Sequence, residues 1–113
     1  MSPHDAINTA NVAAARAAGW PELTGSPAQI GWAETIRVGK MREFEAAHAQ
    51  TPEPDRSFFR EAMLRETRAG EWIGGRPYPW QAMLVHGLTH DELDALLAES
   101  RQRAADDGAQ RAA

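Results

Sequence analysis

Apolar residues recur at helical spacing in several stretches of this chain, and polar or proline-containing breaks separate them. The clearest stretch follows Ser26. On a helical wheel Trp32, Ile36, Ala47, Ala33, Phe44, Ile30 and Met41 succeed one another within about half the circumference, the face a core-directed helix needs. Val38 falls outside it. Ser26 as N-cap, Pro27 at the first helical position and Gln29 three residues past the cap form a capping box, so the pattern predicts a helix over residues 27–49. The run Thr51-Pro52-Glu53-Pro54 ends it.

Asp55 is placed to cap the next helix, in which Phe59 and Met63 stack four residues apart and Glu61 precedes Arg65 by four. Thr67 opens a shorter one, with Glu71 in its first turn, Trp72 and Ile73 apolar, and Gly74-Gly75 stopping it through positive φ. Together these read as a helical hairpin. Pro77 and Pro79 block regular pairing, and Ala82-Met83-Leu84-Val85 is too short for its period to separate strand from buried helix. Residues 77–87 are therefore read as helix in preference to an irregular or extended segment. Thr89 and Glu92 form a second capping box, with Leu88 and Leu93 spaced as a hydrophobic staple, and Leu93, Leu96 and Leu97 mark a buried stripe. The stripe ends near Ala104, and residues 105–113 are expected to be a disordered tail.

Ahead of Ser26 the pattern is weak. Residues 5–18 are rich in alanine and asparagine, with Ile7 and Val12 as larger apolar groups, which predicts a loosely packed helix within residues 1–20. Gly19-Trp20-Pro21 breaks it. The expected fold is all-α, a small irregular bundle of four to five helices in one domain spanning residues 1–113.

Composition narrows the function more than the fold. With 42% hydrophobic and 25% charged residues the chain is ordinary for a globular domain. Its net charge of -4 disfavours non-specific binding to phosphate backbones. Residues 34–76 balance eight acids with eight bases, whereas residues 89–113 hold six acids and three bases, so the acidic surplus lies toward the C-terminus. Without cysteine there is no thiolate metal site, iron–sulfur cluster or cysteine nucleophile, and a cytoplasmic location fits. Met1-Ser2-Pro3-His4-Asp5 has no signal-peptide character, and no run approaches the roughly 18 apolar residues of a membrane span.

Candidate chemistry is sparse. His4, His48, His86 and His90 invite a metal reading, but Gly87 and the Thr89 cap separate the two that lie four apart, and no zinc-hydrolase glutamate accompanies them. The acid pairs Glu43/Glu45, Asp91/Glu92 and Asp106/Asp107 read as solvated charges, and neither a phosphate-binding glycine run nor a nucleophile elbow occurs. The expectation is no enzyme, no metal and no cofactor. Binding is the better reading. Trp20 and Trp80, beside prolines in connectors, are the surface candidates, while Trp32 and Trp72 are assigned to the core or its rim. Arg56, Arg60, Arg65, Arg68 and Arg76 could form a basic strip for phosphates or a partner's carboxylates, although Glu61, Glu66 and Glu71 interrupt it. A homodimer is also compatible with tryptophans exposed on so small a bundle.

Two stretches carry a family likeness: Leu23-Thr24-Gly25-Ser26-Pro27-Ala28-Gln29-Ile30-Gly31-Trp32-Ala33-Glu34-Thr35-Ile36-Arg37, and Glu66-Thr67-Arg68-Ala69-Gly70-Glu71-Trp72-Ile73-Gly74-Gly75-Arg76. They resemble a small-protein module of phages, plasmids and integrated elements, in which a Gly-Ser-x-x-Gln-x-x-Trp-Ala-x-x-Ile-Arg helix precedes an Ala-x-x-Trp-Ile-x-x-Arg segment. Gly25, Ser26, Gln29, Trp32, Ala33, Ile36 and Arg37 match the first motif, and Ala69, Trp72, Ile73 and Arg76 the second. Gly74-Gly75 stands where members of the module often carry Asp-Asn. Sequences similar to the module include anti-CRISPR proteins, so the resemblance implies a non-enzymatic inhibitor that binds a CRISPR effector subunit. As a fold signature, the motif residues supply a cap, an apolar face and two arginines, Arg37 and Arg76, that pin one helix to the other. The alternative function is a nucleic-acid-associated accessory module of phage or plasmid replication.

Overall fold

The computed structural model describes residues 3–112, and within this range the side chains of Pro3, Ser100, Arg103, Ala104, Asp107 and residues 109–112 are not described. Six helices follow one another: α1 Pro3–Ala17, α2 Pro27–Ala47, α3 Asp55–Leu64, α4 Ala69–Gly74, α5 Gln81–Gly87 and α6 His90–Ala112. The fold is all-α, with one helix more than the upper count the pattern suggests. The additional one is α5: residues 81–87 are helical, and the prolines at 77 and 79 confine irregular backbone to the turn before it.

Both capping boxes form. The Ser26 hydroxyl accepts from the Gln29 amide at 3.3 Å while the Gln29 side chain accepts from the Ser26 amide at 3.1 Å. Thr89 and Glu92 exchange the same two bonds at 3.1 and 3.2 Å. Two other caps differ from expectation. Asp55 is the first residue of α3 and not its cap; the Glu53 carboxylate accepts from the Ser57 amide at 3.1 Å and from the Ser57 hydroxyl, and so satisfies the helix start. Thr67 does not cap α4 either, because its carbonyl is committed across the molecule to Thr24. Gly19 takes the expected left-handed conformation, with φ 76°, but Gly75 ends α4 at φ -85°. The need for glycine at 75 is close packing: a β-carbon there would lie 2.7 Å from the Met83 sulfur.

The core forms where α2 meets α4, with α3 and α5 packed together beside it. Phe44, Met63, Met83 and Trp72 are fully buried in it, and the Trp72 indole N–H donates to the Glu66 carbonyl at 2.9 Å. Helix α2 is central, with α1 along one side and α4 along another. Its buried residues are Ala33, Glu34, Arg37, Val38, Lys40, Met41 and Phe44. This arc is rotated by roughly 70° from the one the apolar pattern suggests, toward Val38 and away from Trp32. The rotation is possible because three of the seven buried residues are charged and still have partners.

Two backbone bonds join distant parts of the chain: Thr24 donates to the Thr67 carbonyl at 2.7 Å, and Ala69 donates to the Thr24 carbonyl at 2.9 Å. They form an isolated parallel bridge between Thr24 and Arg68, joining the segment before α2 to the start of α4. Gly25 sits in the bridge at φ 148°, and a β-carbon there would lie 3.1 Å from that of Ala69. The two motif stretches are thus one structural unit.

The helix α6 does not stop near Ala104. It continues to Ala112 through the residues expected to form a disordered tail, because alanine, glutamine and arginine sustain a helix without a buried stripe and Gln102 donates to Asp106 one turn on at 3.0 Å. The molecule measures 62 × 26 × 25 Å, and its radius of gyration of 16.6 Å exceeds the roughly 13 Å of a compact chain this long.

Candidate protein-binding surface

Lys40 organises the most distinctive surface of the molecule. It lies on the buried arc of α2, 8% exposed, and its ammonium donates to the carbonyls of Arg76 and Tyr78. Those two bonds hold the turn after α4 against α2, four residues past Ile36 and eight past Trp32 on the same helix. The Arg76 guanidinium then lies over the Trp32 ring, its carbon 5.0 Å from the centroid, and also donates to the Ile73 carbonyl at 2.8 Å. Trp32 remains 45% exposed and Tyr78 59% exposed. On the other side of Trp32, the α1 residue Ile7 is 51% exposed and lines with it an open groove of about 490 Å³ that also includes His4, Asn8 and Thr35. The Thr35 hydroxyl donates to the Asn8 side chain at 2.7 Å and accepts from Asn11 at 3.0 Å, which stitches α1 to α2 beneath the groove. Ile7, Trp32, Arg76 and Tyr78 therefore form a continuous exposed patch on a backbone held by hydrogen bonds. Tryptophan, tyrosine and arginine are the residue types that dominate protein-binding hot spots.

The sequence assigns its tryptophans the other way round. Trp32, placed in the core or its rim, is exposed because the buried arc of α2 turns away from it. Trp20 and Trp80, the surface candidates, are half-buried and pack on the core. Trp80 closes an aromatic cluster, edge-on to Phe44 at 5.3 Å and to His48 at 5.2 Å, and Trp20 covers the Arg37 guanidinium at 5.3 Å. Arg37 is not available to a partner. It is 1% exposed, it makes paired bonds of 2.6 and 2.9 Å to Glu34, and its remaining amino group donates to the Pro21 carbonyl at 2.9 Å. It pins the connector before α2; of the two motif arginines, Arg76 is the one that joins α2 to the end of α4. Ser26, Gln29, Ile36, Trp72 and Ile73 serve the cap and core. Tyr78 carried no periodic signal; its position between two prolines, where neither helix nor strand can absorb it, is the feature that marks it.

Most of the arginine strip is neutralised. Arg56 pairs with Glu53 at 3.4 Å, Arg60 with Glu45 at 2.7 and 3.1 Å, Arg65 with Glu92 at 3.0 Å and Arg68 with Glu66 at 2.9 and 3.1 Å. The Arg60 bond holds the Glu45 carboxyl below its ordinary value. Paired guanidinium groups displace few counterions from a nucleic acid, so this face offers little of the electrostatic drive such binding needs. Arg76 departs from the pattern by lying on an aromatic ring.

Glu66, Glu71 and His86 offer ligand atoms within 4.8 Å of one another, the spacing of a candidate metal centre. Their bonding points elsewhere. One Glu66 oxygen already accepts from Arg68 at 2.9 Å and lies 3.2 Å from His86 Nδ1, and the other accepts from the Arg68 amide and Nε at 3.0 and 3.1 Å. A cation would have to displace a bidentate guanidinium. The cluster acts instead as a clasp between the start of α4 and the end of α5. Burial pushes the Glu66 carboxyl up, but the bonds from Arg68 and His86 outweigh that and hold it at about 2. A lowered folded-state value contributes stability that is complete above the ordinary 4.5 and is lost as pH falls from there toward 2, roughly 3 kcal/mol in all. The wild type's resistance to urea is expected to weaken steeply between about pH 5 and pH 2.5, whereas Glu66→Gln, less stable at about pH 6, should lose distinctly less over the same interval. Parallel losses would remove this role for Glu66.

Among the described residues no helix is long and apolar enough to cross a membrane. Comparison with protein-family models, curated proteins and solved structures gives no match to the chain.

Proposed function

We propose that this chain is a non-enzymatic interaction protein that binds a protein partner through Ile7, Trp32, Arg76 and Tyr78. The observation that carries the reading is the Trp32–Arg76 stack: a large aromatic left exposed on a stitched pair of helices, with a guanidinium fixed across it. Such a patch loses little conformational entropy on binding, because Lys40 and Thr35 already hold its supports in place. The resemblance of the two motif stretches to a mobile-element module makes the reading more specific. In it the chain is an anti-CRISPR inhibitor that docks on a CRISPR effector subunit in a bacterial host. The neutralised arginines weigh against the alternative role in replication.

The test pairs a pull-down against purified CRISPR effector complexes with a plaque assay on CRISPR-protected cells. Wild-type protein is expected to bind and to restore plaques. Trp32→Ala/Arg76→Ala should bind at least roughly 30-fold more weakly, about 2 kcal/mol, with a melting temperature close to wild type, since both side chains are solvent-facing. No binding and no restored plaques would remove the inhibitor reading, and undiminished binding by the double variant would remove the surface.

A further inference from the structure

A second groove lies between the start of α3 and the N-terminal half of α6, and its chemistry differs from that of the Trp32 surface. It encloses about 340 Å³, with Phe58, Phe59 and Leu96 as its apolar walls and Asp55, Glu92 and Glu99 around them. No lysine or arginine lines it. Asp55 supplies a carboxylate at the α3 edge and Glu99 one at the α6 edge, while Glu92, engaged by Arg65 and by the Thr89 amide, adds a third between the helices. The surrounding stretch of α6 strengthens the field: Asp91, Glu92, Asp94 and Glu99 fall within residues 90–99, which contain no lysine or arginine. Phenylalanine faces and carboxylates around an apolar cleft suit a long cationic side chain, whose aliphatic stem covers the rings while its charged end reaches the acids.

From this charge complementarity we infer that the α3–α6 groove docks a basic, amphipathic segment of a protein partner, one that presents lysine or arginine beside an apolar side chain. Acidic and phosphate-bearing ligands are repelled by the same carboxylates. This surface is separate in its residues from the Trp32 patch, and each can fail without the other.

The probes are three labelled peptides of about 12 residues, one alternating lysine with leucine, one glutamate with leucine and one lysine with serine, titrated with the full chain at physiological salt and read by fluorescence polarisation. The lysine–leucine peptide is expected to bind, the lysine–serine peptide at least tenfold more weakly, and the glutamate–leucine peptide not at all. Asp55→Asn/Glu99→Gln should weaken the lysine–leucine complex at least tenfold. Asp91→Asn/Asp94→Asn, which removes the same charge from the same end of the molecule outside the groove, should leave it within twofold, as should Trp32→Ala/Arg76→Ala. Circular dichroism of each variant verifies the fold, and Phe58→Ser gives a second route to the same loss. Equal binding of the lysine–leucine and glutamate–leucine peptides would overturn the inference. So would equal losses from the two acid pairs, which would reduce the effect to overall charge, or a self-associated chain whose dissociation is required before any peptide binds.

Discussion

Arg37→Leu is expected to lower the unfolding free energy by about 3–5 kcal/mol, a large part of the roughly 5–15 kcal/mol typical of a domain this size. Arg37 and Glu34 are 1% and 3% exposed, and the guanidinium meets the carboxylate through two bonds of 2.6 and 2.9 Å. Removing the arginine strands a carboxylate in the interior, frees the Pro21 carbonyl and strips Trp20 of the cation beneath it. The main cost is that of the stranded charge, not the net worth of the pair, because bringing both ions out of water offsets much of their attraction. Glu34→Leu/Arg37→Leu should therefore recover most of the loss. Urea denaturation of the two single variants and the double variant gives the coupling directly. A double variant as unstable as Arg37→Leu would show that the guanidinium acts through the connector, and not by neutralising Glu34.

Gly87→Ala is the second large effect. A β-carbon on Gly87 would lie 1.5 Å from the Ala62 carbonyl oxygen and 2.4 Å from its carbon, and neither is the movable end of a side chain. Helix α5 would have to withdraw from α3, drawing the fully buried Met83 from the core and loosening the bond from Arg65 to the Gly87 carbonyl at 2.9 Å. A loss of at least about 3 kcal/mol is expected, on the order of 10 °C in melting temperature. Gly39→Ala provides the opposite case. That glycine is exposed in mid-helix, and a β-carbon added to it would meet nothing within 4 Å, so alanine should raise stability by up to about 1 kcal/mol. Thermal melts moving in opposite directions for these two substitutions would establish backbone contact, and not helix propensity, as the reason for glycine at 87.

The elements were more legible than their orientation. Ser26-Pro27-x-Gln29 and Thr89-x-x-Glu92 are complete local signals, because every group in a capping box lies within four residues, and both helices begin where they say. Facing is a tertiary property. A wheel drawn from apolar residues assumes one buried side, whereas α2 is covered by α1 and α4 and buries Glu34, Arg37 and Lys40. The partners that make those charges tolerable are the Pro21, Arg76 and Tyr78 carbonyls, 16 to 38 residues away in sequence. The same rotation exposes Trp32, so the candidate surface could not be read from periodicity. What the sequence did carry was Arg76 and the proximity of prolines to Tyr78. The close approach at Gly87 was equally hidden, since a lone glycine at a helix end reads first as a terminator.

The bridge between Thr24 and Arg68 bears on how this chain can vary over evolutionary time. It fastens two segments 44 positions apart, and at its centre the bare α-carbon of Gly25 faces the methyl of Ala69. A bulkier residue on either side needs compensation on the other, so the substitutions there are epistatic. Recombination that imports one of the two stretches without its counterpart would join mismatched halves, which makes the pair a single heritable unit despite the long interval of chain between them.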